Sequence, residues 1–364
     1  MQNDLIQTIT DALSQLIDPN TGKDFVSSKA LKKLSIEEGQ VNLEVSLGYP
    51  AQTQLASLRS LITHAVESVA GVKSVTLNLD WKIVAHSVQA GIKTLPNVRN
   101  MIAVASGKGG VGKSTTAVNL ALALRAEGAK VGLLDADIYG PSQPLMLGVQ
   151  GQKHEANEDQ TITPILAHGL QMASIGCLID TEQAVAWRGP MVTGALLQLL
   201  QQTAWQDLDY LVIDMPPGTG DIQLTLAQKV PVTGAVIVTT PQEIALLDGR
   251  RGVNMFQKVG IPILGVVENM ALHVCSQCGH SEPIFGSGGG QRMAEQYGVP
   301  YLGALPLDRQ IREQTDSGKP TVMADPQSPA SLVYGQIARK VAGQIAEKAQ
   351  DHSLKFPTIK VQAT

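Results

Sequence analysis

Short apolar runs alternate with helical stretches through most of the chain beyond residue 100. The runs are Met101-Ile102-Ala103-Val104-Ala105, Val131-Gly132-Leu133-Leu134, Tyr210-Leu211-Val212-Ile213, Ala235-Val236-Ile237-Val238 and Ile263-Leu264-Gly265-Val266-Val267. Strands that are apolar on both faces are typical of a parallel sheet covered by helices. The pattern therefore predicts an α/β fold with a mostly parallel, doubly wound sheet.

The first 82 residues show a different pattern. Apolar residues recur there at helical spacing in two stretches and alternate at strand spacing in two others. The helical sets are Leu5, Ile6, Ile9, Leu13, Leu16 and Ile17, then Leu55, Leu58, Ile62 and Val66; the alternating sets are Val41, Leu43, Val45 and Leu47, then Val75, Leu77 and Leu79. We interpret the order as α-β-β-α-β. No candidate catalytic cluster accompanies it, so we expect a docking or scaffold module.

The chain is thus expected to have four segments. Residues 1–82 form the small α/β domain, and residues 83–99, which contain glycine and proline without a clear period, form a linker. Residues 100–350 form the larger α/β domain. Residues 351–364 form a polar C-terminal tail.

The most informative sequence follows the first apolar run of the larger domain. It reads Gly107-Lys108-Gly109-Gly110-Val111-Gly112-Lys113-Ser114 and continues with Thr115. Strand, glycine loop and helix are the context of a phosphate-binding loop, because glycines let backbone N–H groups face the phosphates at the positive end of the helix. In such a loop Lys113 reaches the β- and γ-phosphates and the Ser114 hydroxyl ligates Mg²⁺. The sequence therefore predicts a nucleotide site.

Lys108 is an additional cation in this loop. Since Lys113 already serves the phosphates of its own chain, Lys108 is either a solvated charge or a group that points across an interface.

Polar residues end each apolar run, where ligands of parallel sheets lie. Asp214, a carboxylate at the tip of a buried strand, fits the second group on the Mg²⁺ side of the site, which usually acts through water. Asp137 is placed similarly, with a turn cap as the alternative, and Asp135 could share its role. Asn269 ends a later run, where a turn-forming asparagine competes with a ligand-binding one.

Cys275 and Cys278 form a CxxC pair shortly after the predicted strand that ends at Asn269. The pair is therefore expected at the same edge of the sheet as the nucleotide. The pair could be half of a zinc site with His273 or His280, a redox dithiol, or half of an iron–sulfur ligand set. Cys177 lies in an apolar setting that is typical of a core cysteine. Two copies of the pair facing one another across a twofold axis would supply four thiolates. The pair therefore favours a homodimer.

Composition narrows the function classes. The net charge is −4 and only 16% of residues are charged, which argues against a nucleic-acid or acidic-membrane partner. No apolar run approaches the roughly 20 residues that span a bilayer, and the first residues lack the basic start of a signal peptide. We expect a cytoplasmic protein in which three cysteines form no disulfide framework.

The loop GKGGVGKS resembles the deviant phosphate-binding loop of MinD, ParA, nitrogenase iron protein and Mrp ATPases. This resemblance implies that Lys108 crosses a twofold axis to the partner's nucleotide, that Asp137 positions the attacking water, and that Asn269 reads the adenine base. Arg188 matches a family segment, with no physical role that we can assign.

Together with DADIYGPS, VIDMPPGTGD, CSQCGH and the small first domain, the loop is similar to Mrp/ApbC-type iron–sulfur cluster carrier ATPases. That family implies a homodimer that binds ATP and Mg²⁺, holds a labile [4Fe–4S] cluster between the CxxC pairs, and passes it to apoproteins. Cluster scaffold proteins are further expected partners.

Two other functions stay open at this stage. A positioning ATPase of the MinD/ParA class would need a membrane-binding helix, and a helical stripe comprising Leu332, Val333, Ile337, Val341 and Ile345 is a candidate that core packing also explains. A zinc-stapled regulatory ATPase would use the CxxC pair as a structural metal site.

Overall fold

The computed structural model describes residues 2–178 and 189–349. Its first unit contains α1 (Gln2–Gln15), β1 (Leu31–Glu37), β2 (Gln40–Leu47), α2 (Leu55–Glu67) and β3 (Ser74–Trp81). The central strand β2 pairs antiparallel with β1 and parallel with β3. The predicted order α-β-β-α-β is confirmed.

Alternation along β2 explains why this small sheet needs both helices. Val41, Leu43, Val45 and Leu47 are buried on one face, whereas Gln40, Asn42 and Glu44 are exposed on the other. Ile9 and Leu13 of α1 and Leu58 and Ile62 of α2 belong to the same buried cluster. The period of two therefore selects the face that the two amphipathic helices cover.

The larger unit begins with β4 (Val98–Ala105), α3 (Lys113–Ala126), β5 (Val131–Asp135), α4 (Gln143–Met146), β6 (Ile165–Ala167), β7 (Leu170–Ser174), α5 (Gly189–Gln202), β8 (Leu208–Asp214) and α6 (Asp221–Lys229). It continues with β9 (Gly234–Thr239), α7 (Glu243–Lys258), β10 (Ile263–Glu268), β11 (His273–Val274), β12 (Ser281–Glu282), α8 (Gly289–Tyr297), β13 (Tyr301–Ala304), α9 (Arg309–Asp316), α10 (Thr321–Ala324) and α11 (Pro329–Ala346).

The main sheet has the order β13-β10-β9-β4-β8-β5-β7-β6. Its neighbouring strands are parallel except for the β6–β7 pair at one edge. The predicted doubly wound parallel sheet is thus confirmed, with an antiparallel edge strand added. β4 lies in the middle, and the chain crosses over β8 to reach β5. The loop after β4 therefore opens at the carboxyl edge between neighbouring strands, where ligands bind in such sheets.

The segment expected to be a linker packs closely against the larger unit. The His86 side chain is 1% exposed, and its Nδ1 lies 2.9 Å from Oδ1 of Asn100. Asn100 lies on β4, which starts at Val98 rather than after residue 99. The start of this strand is not evident from the sequence, because the polar residues Arg99 and Asn100 interrupt the apolar pattern.

A buried ion pair within the larger unit also binds a residue of the small unit. Arg339 of α11 donates to the Glu127 carboxylate at the end of α3, and Glu127 also accepts from the Thr53 hydroxyl at 2.6 Å. Glu127 is 1% and Arg339 is 9% exposed. A buried charge without a partner is strongly destabilising, so Arg339 stabilises Glu127 in place. The hydrogen bonds from Thr53 to Glu127 then hold the small unit against the helix that follows the phosphate loop.

The C-terminal helical stripe is a core surface. Ile337, Val341 and Ile345 of α11 are buried against the larger unit, while Leu332 near the start of the helix stays 51% exposed. The interpretation as core packing is confirmed. Within the two described ranges, no helix is long and apolar enough to cross a membrane.

Candidate nucleotide site and thiol pair

The loop between β4 and α3 is shaped by its glycines. Gly110 and Gly112 have φ of +82°, a left-handed conformation that side chains rarely adopt. A Cβ atom at Gly112 would lie 2.1 Å from Nδ2 of Asn269, and one at Gly107 would lie 2.1 Å from the Asp248 carbonyl of α7. Glycine is therefore required for the turn and for the close approach of two neighbouring elements.

Lys113 is the first residue of α3 and is 6% exposed. Its ammonium contacts the Asp214 carboxylate and lies 3.0 Å from the Ser114 hydroxyl. Ser114 and Thr115 follow in the first helical turn and are half-buried. Their position at a helix N-terminus, beside a buried ammonium, is suited to binding phosphate.

Two buried carboxylates face each other across β5 and β8. Asp135 and Asp214 are register partners, and each is fully buried. Burial, followed by the charge of Asp214, raises the pKa of Asp135 to about 7. Two carboxylates in a low-dielectric site favour a cation between or beside them.

Asp137 lies beyond the end of β5 and is half-buried. Its pKa is raised mainly by burial, while the Lys113 charge opposes this rise. The carboxylate accepts hydrogen bonds from the amides of Gly140 and Tyr139, which is the geometry of a turn cap. Asp135 instead accepts bonds from the amide of Asp137 at 3.2 Å and from the Ser174 hydroxyl at 3.1 Å.

Gln143 was not identified from the sequence, yet it lies at the centre of this network. Its side-chain Nε2 donates to Asp214 Oδ2 at 2.8 Å and to the Ser114 carbonyl at 3.1 Å. Its backbone N–H donates to the Asp135 carboxylate at 3.1 Å. The side chain is fully buried. The only available signal was a polar residue before proline in the segment after Asp137, and such a residue is more often a simple helix start.

Asn269 follows β10 and is 7% exposed. Its Nδ2 donates to the Val111 carbonyl in the phosphate loop at 2.9 Å. The structure therefore brings this residue to the loop, where it holds the backbone. Its contact with a base stays a prediction.

Lys108 is half-buried at the mouth of the loop, next to the exposed residues Gly109 and Gly110. Its carbonyl accepts a hydrogen bond from the Ser106 hydroxyl at 2.8 Å, which holds the backbone around it. The role of its ammonium in a partner chain also stays a prediction. Arg188 lies outside the described residues.

Cys275 and Cys278 lie in the turn between β11 and β12. The Cys275 amide donates to the His280 carbonyl and the Gly279 amide donates to the Cys275 carbonyl, each at 2.9 Å, so the turn is closed. Hydrogen bonds from the Cys278 and Gln277 amides lower the pKa of the Cys275 thiol. Cys275 is half-buried and Cys278 is exposed. Both sulfurs are therefore accessible to a ligand from outside the chain.

The alternative ligands do not gather around this pair. His273 directs Nδ1 to the Leu307 carbonyl at 3.0 Å. In the part of the chain that the structure describes, no three His, Cys, Asp or Glu side chains are grouped so that they could hold a metal ion. Cys177 is 1% exposed, and burial raises the pKa of its thiol to about 11, which confirms it as a core residue.

Glu268 is a second residue whose role the sequence does not reveal. It ends β10 and is 1% exposed, and it accepts hydrogen bonds from the Gly288 and Gly290 amides at the start of α8. A Cβ atom at Gly290 would lie 2.9 Å from its Cβ. Glu268 thus caps α8 and fixes the chain on the far side of the thiol turn.

Comparison with known proteins decides the family. The family described as NUBPL iron-transfer P-loop NTPase, within the ParA group, matches residues 97–342, and the iron–sulfur cluster assembly protein family matches residues 6–77. This chain is a member of the NUBPL iron-transfer P-loop NTPases. The predicted resemblance is confirmed.

This NUBPL-type NTPase is similar in sequence to proteins described as iron–sulfur cluster carriers. The iron–sulfur cluster carrier protein of Pseudomonas fragi is 61% identical over 76% of this chain and 97% of its own length. That of Escherichia coli K12 is 48% identical over 93% of this chain and 91% of its own length.

Solved structures agree on the fold of the NUBPL-type unit. A nucleotide-binding protein from Archaeoglobus fulgidus in complex with ADP has a TM-score of 0.57 and 35% identity, and covers 65% of this chain and 91% of its own. The Pyrococcus furiosus cell division ATPase MinD has a TM-score of 0.50 and 25% identity, and covers 66% of this chain and 98% of its own.

Proposed function

We propose that this NUBPL-type NTPase is an iron–sulfur cluster carrier that binds and hydrolyses ATP. In this proposal a homodimer holds a labile [4Fe–4S] cluster between two copies of the CxxC pair and delivers it to apoproteins in the cytoplasm. The names of the relatives support the carrier function over a positioning ATPase.

The observation that carries the proposal is the connection between the phosphate loop and the thiols. The Asn269 side chain donates a hydrogen bond to the Val111 carbonyl in the loop. Cys275 follows only a few residues later in the same connection after β10. In this proposal, a change in the loop on nucleotide binding would reach the turn that carries the sulfurs through Asn269. Such a connection is what a carrier needs if nucleotide state controls how tightly the cargo is held.

The residues around the loop fit Mg²⁺ with a nucleotide. The Ser114 hydroxyl and the Asp214 carboxylate are oxygen ligands of the kind that Mg²⁺ prefers, and Asp137 is close enough to feel the Lys113 charge. When bound, Mg²⁺ would neutralise charge on the phosphates. We assign Lys113 to the β- and γ-phosphates, Lys108 to the partner's nucleotide, Asp137 to the attacking water and Asn269 to the base.

Exposed apolar residues support the homodimer. Ile244 and Leu247 of α7 are 70% and 50% exposed, and α7 contacts the loop at Gly107. Val274 and Ile284 flank the thiol turn and are 49% and 52% exposed. Apolar side chains exposed near both the loop and the turn are typical of a protein interface. A second copy of the chain would cover them and bring four thiolates together.

The test is anaerobic reconstitution with iron and sulfide, followed by transfer to an apoenzyme that requires a [4Fe–4S] cluster. We expect a brown, oxygen-sensitive dimer that restores the apoenzyme's activity. Tight binding of zinc with no cluster transfer would instead support the zinc-stapled ATPase.

A further inference from the structure

The side-chain oxygen of Gln143 is a buried acceptor without a hydrogen-bond partner in the described part of the chain. Buried polar atoms in folded proteins are nearly always paired, so an exception in a ligand site needs an explanation. Within the described residues, the neighbouring Ser142 hydroxyl is also buried without a partner. These two atoms belong to consecutive residues at the start of α4, shortly after Asp137.

The orientation of the Gln143 amide follows from its neighbours. Nε2 lies within hydrogen-bond distance of two acceptors, the Asp214 carboxylate and the Ser114 carbonyl. Exchanging the nitrogen and the oxygen would place the oxygen against both acceptors, which is repulsive. Oε1 therefore occupies the other end of the same amide, next to the nitrogen that contacts Asp214 and Ser114.

We infer that Gln143 is a positioning residue for the Mg²⁺-bound nucleotide, with Oε1 accepting a hydrogen bond from a donor that arrives with Mg²⁺. This inference rests on the nucleotide and Mg²⁺ assignment made above. Water molecules bound to Mg²⁺ are strong donors, and Mg²⁺ keeps several of them in nucleotide sites. The Nε2 group meanwhile holds the Asp214 carboxylate in place.

Gln89 provides a matched control. Its Nε2 also donates to two oxygens, the carbonyls of Ala227 at 2.8 Å and Val230 at 3.0 Å. Its Oε1 is likewise buried without a partner among the residues that the structure describes. It lies in the segment before β4, away from the phosphate loop. Replacing Gln143 removes a bridging glutamine that contacts the nucleotide site, whereas replacing Gln89 removes one that does not.

The experiment measures the affinity of a fluorescent ADP analogue in magnesium chloride and in EDTA. Methionine has the length of glutamine but neither donor nor acceptor, so Gln143→Met should reduce the Mg²⁺-dependent gain in affinity roughly tenfold, as expected for hydrogen bonds to charged groups. Affinity in EDTA should stay within about a factor of two of wild type, since Lys113 and the loop amides remain. Gln89→Met should keep the full Mg²⁺ gain.

A second variant separates the acceptor from the donor. Gln143→Glu keeps an oxygen acceptor, so it should retain a Mg²⁺ response, while its charge beside Asp214 should weaken binding in EDTA. An unchanged Mg²⁺ gain in Gln143→Met with wild-type melting would overturn the inference. So would equal losses with and without Mg²⁺, which indicate a purely structural role. A wild-type protein that binds the analogue without any Mg²⁺ gain would overturn the Mg²⁺ assignment, and one that does not bind it at all would overturn the nucleotide assignment itself.

Discussion

The Lys113 ammonium at the start of α3 is paired directly with the Asp214 carboxylate at the end of β8. Both groups are buried, at 6% and 0% side-chain exposure. A phosphate entering the loop competes with Asp214 for the same ammonium, and Mg²⁺ competes with Lys113 for the same carboxylate. Nucleotide and metal can therefore replace this ion pair together, without leaving either charge unpaired in the interior.

Lys113→Ala should remove most nucleotide binding. The polyphosphate loses its principal cation, and a hydrogen bond to a charged group is worth about 1.5–3 kcal/mol, so affinity should fall by at least about tenfold. Equilibrium binding of ATP together with phosphate release provides the measurement. Lys130→Ala is the control, because Lys130 forms only a surface ion pair with Asp207. A folded Lys113→Ala protein with wild-type ATPase activity would refute the site.

Lys108→Ala should behave differently, since its proposed contact lies in the partner chain. ATP should still bind, while turnover falls as it does when a cation contacting the transferring phosphoryl group is lost. The informative measurement mixes this variant with Asp137→Asn, which is expected to be hydrolysis-dead but keeps Lys108. Heterodimers should regain activity at one of their two sites. If mixing restores nothing, Lys108 acts within its own chain or not at all.

The sequence predicted the elements whose signal is local. The apolar runs ending at Asp135, Asp214 and Glu268 are strands, and the glycine loop leads into a helix, because period and composition determine these features over a few residues. The sheet order was less accessible, since a parallel pairing such as β4 with β8 joins residues that lie far apart in the chain.

The contacts that sequence reasoning missed are pairwise and long-range. Gln143 bonds to Asp214, which lies 71 positions away, and Arg339 bonds to Glu127, which lies 212 positions away. A single sequence shows that these residues are polar, and it shows nothing about which partner makes their burial favourable. The Asn269 contact with Val111 was likewise invisible, although the residue itself had been selected from its place at a strand end.

The buried ion pair between Arg339 and Glu127, which Thr53 of the small unit contacts, should contribute strongly to the stability of the protein. Arg339→Met leaves Glu127 buried without its cation, and breaking such a pair costs about 3–5 kcal/mol. Urea unfolding should detect this loss, and adding Glu127→Gln should recover part of it. Arg312→Met removes an exposed ion pair with Asp316 and should cost no more than about 1 kcal/mol. Equal effects of the two arginine variants would contradict the role of the buried ion pair.

His86 should make the protein less stable in mild acid. Burial lowers its pKa below the ordinary value of 6.5, although the hydrogen bond that Nδ1 of His86 donates to Oδ1 of Asn100 opposes this shift. The unfolded chain therefore binds a proton more readily than the folded one, so stability is complete above about pH 6.5 and falls as the pH drops below it. Melting temperatures from pH 8 to pH 5 should decline less steeply in His86→Gln. Parallel curves would show that another group is responsible.

Cys275 and Cys278 carry the sharpest test of the carrier proposal. If one dimer shares one cluster, replacing either cysteine by serine in both chains removes two of four thiolates. Cluster binding and transfer should then collapse in Cys275→Ser and in Cys278→Ser. Cys177→Ser should retain both, because that thiol is buried, with its pKa raised to about 11, and is protonated near neutral pH.

The same three variants also separate the cluster from the nucleotide. The phosphate loop belongs to a different segment from the thiol turn, so ATP binding should persist in all of them. Iron and sulfide are measured after anaerobic reconstitution, on a sample whose oligomeric state is determined at the same time. The wild type should contain about four iron atoms per two chains. A full cluster in Cys275→Ser, or a loss confined to Cys177→Ser, would show that the ligands are other residues. Loss of ATP binding together with the cluster would instead mean that the turn supports the loop through Asn269, whose side chain joins the two segments.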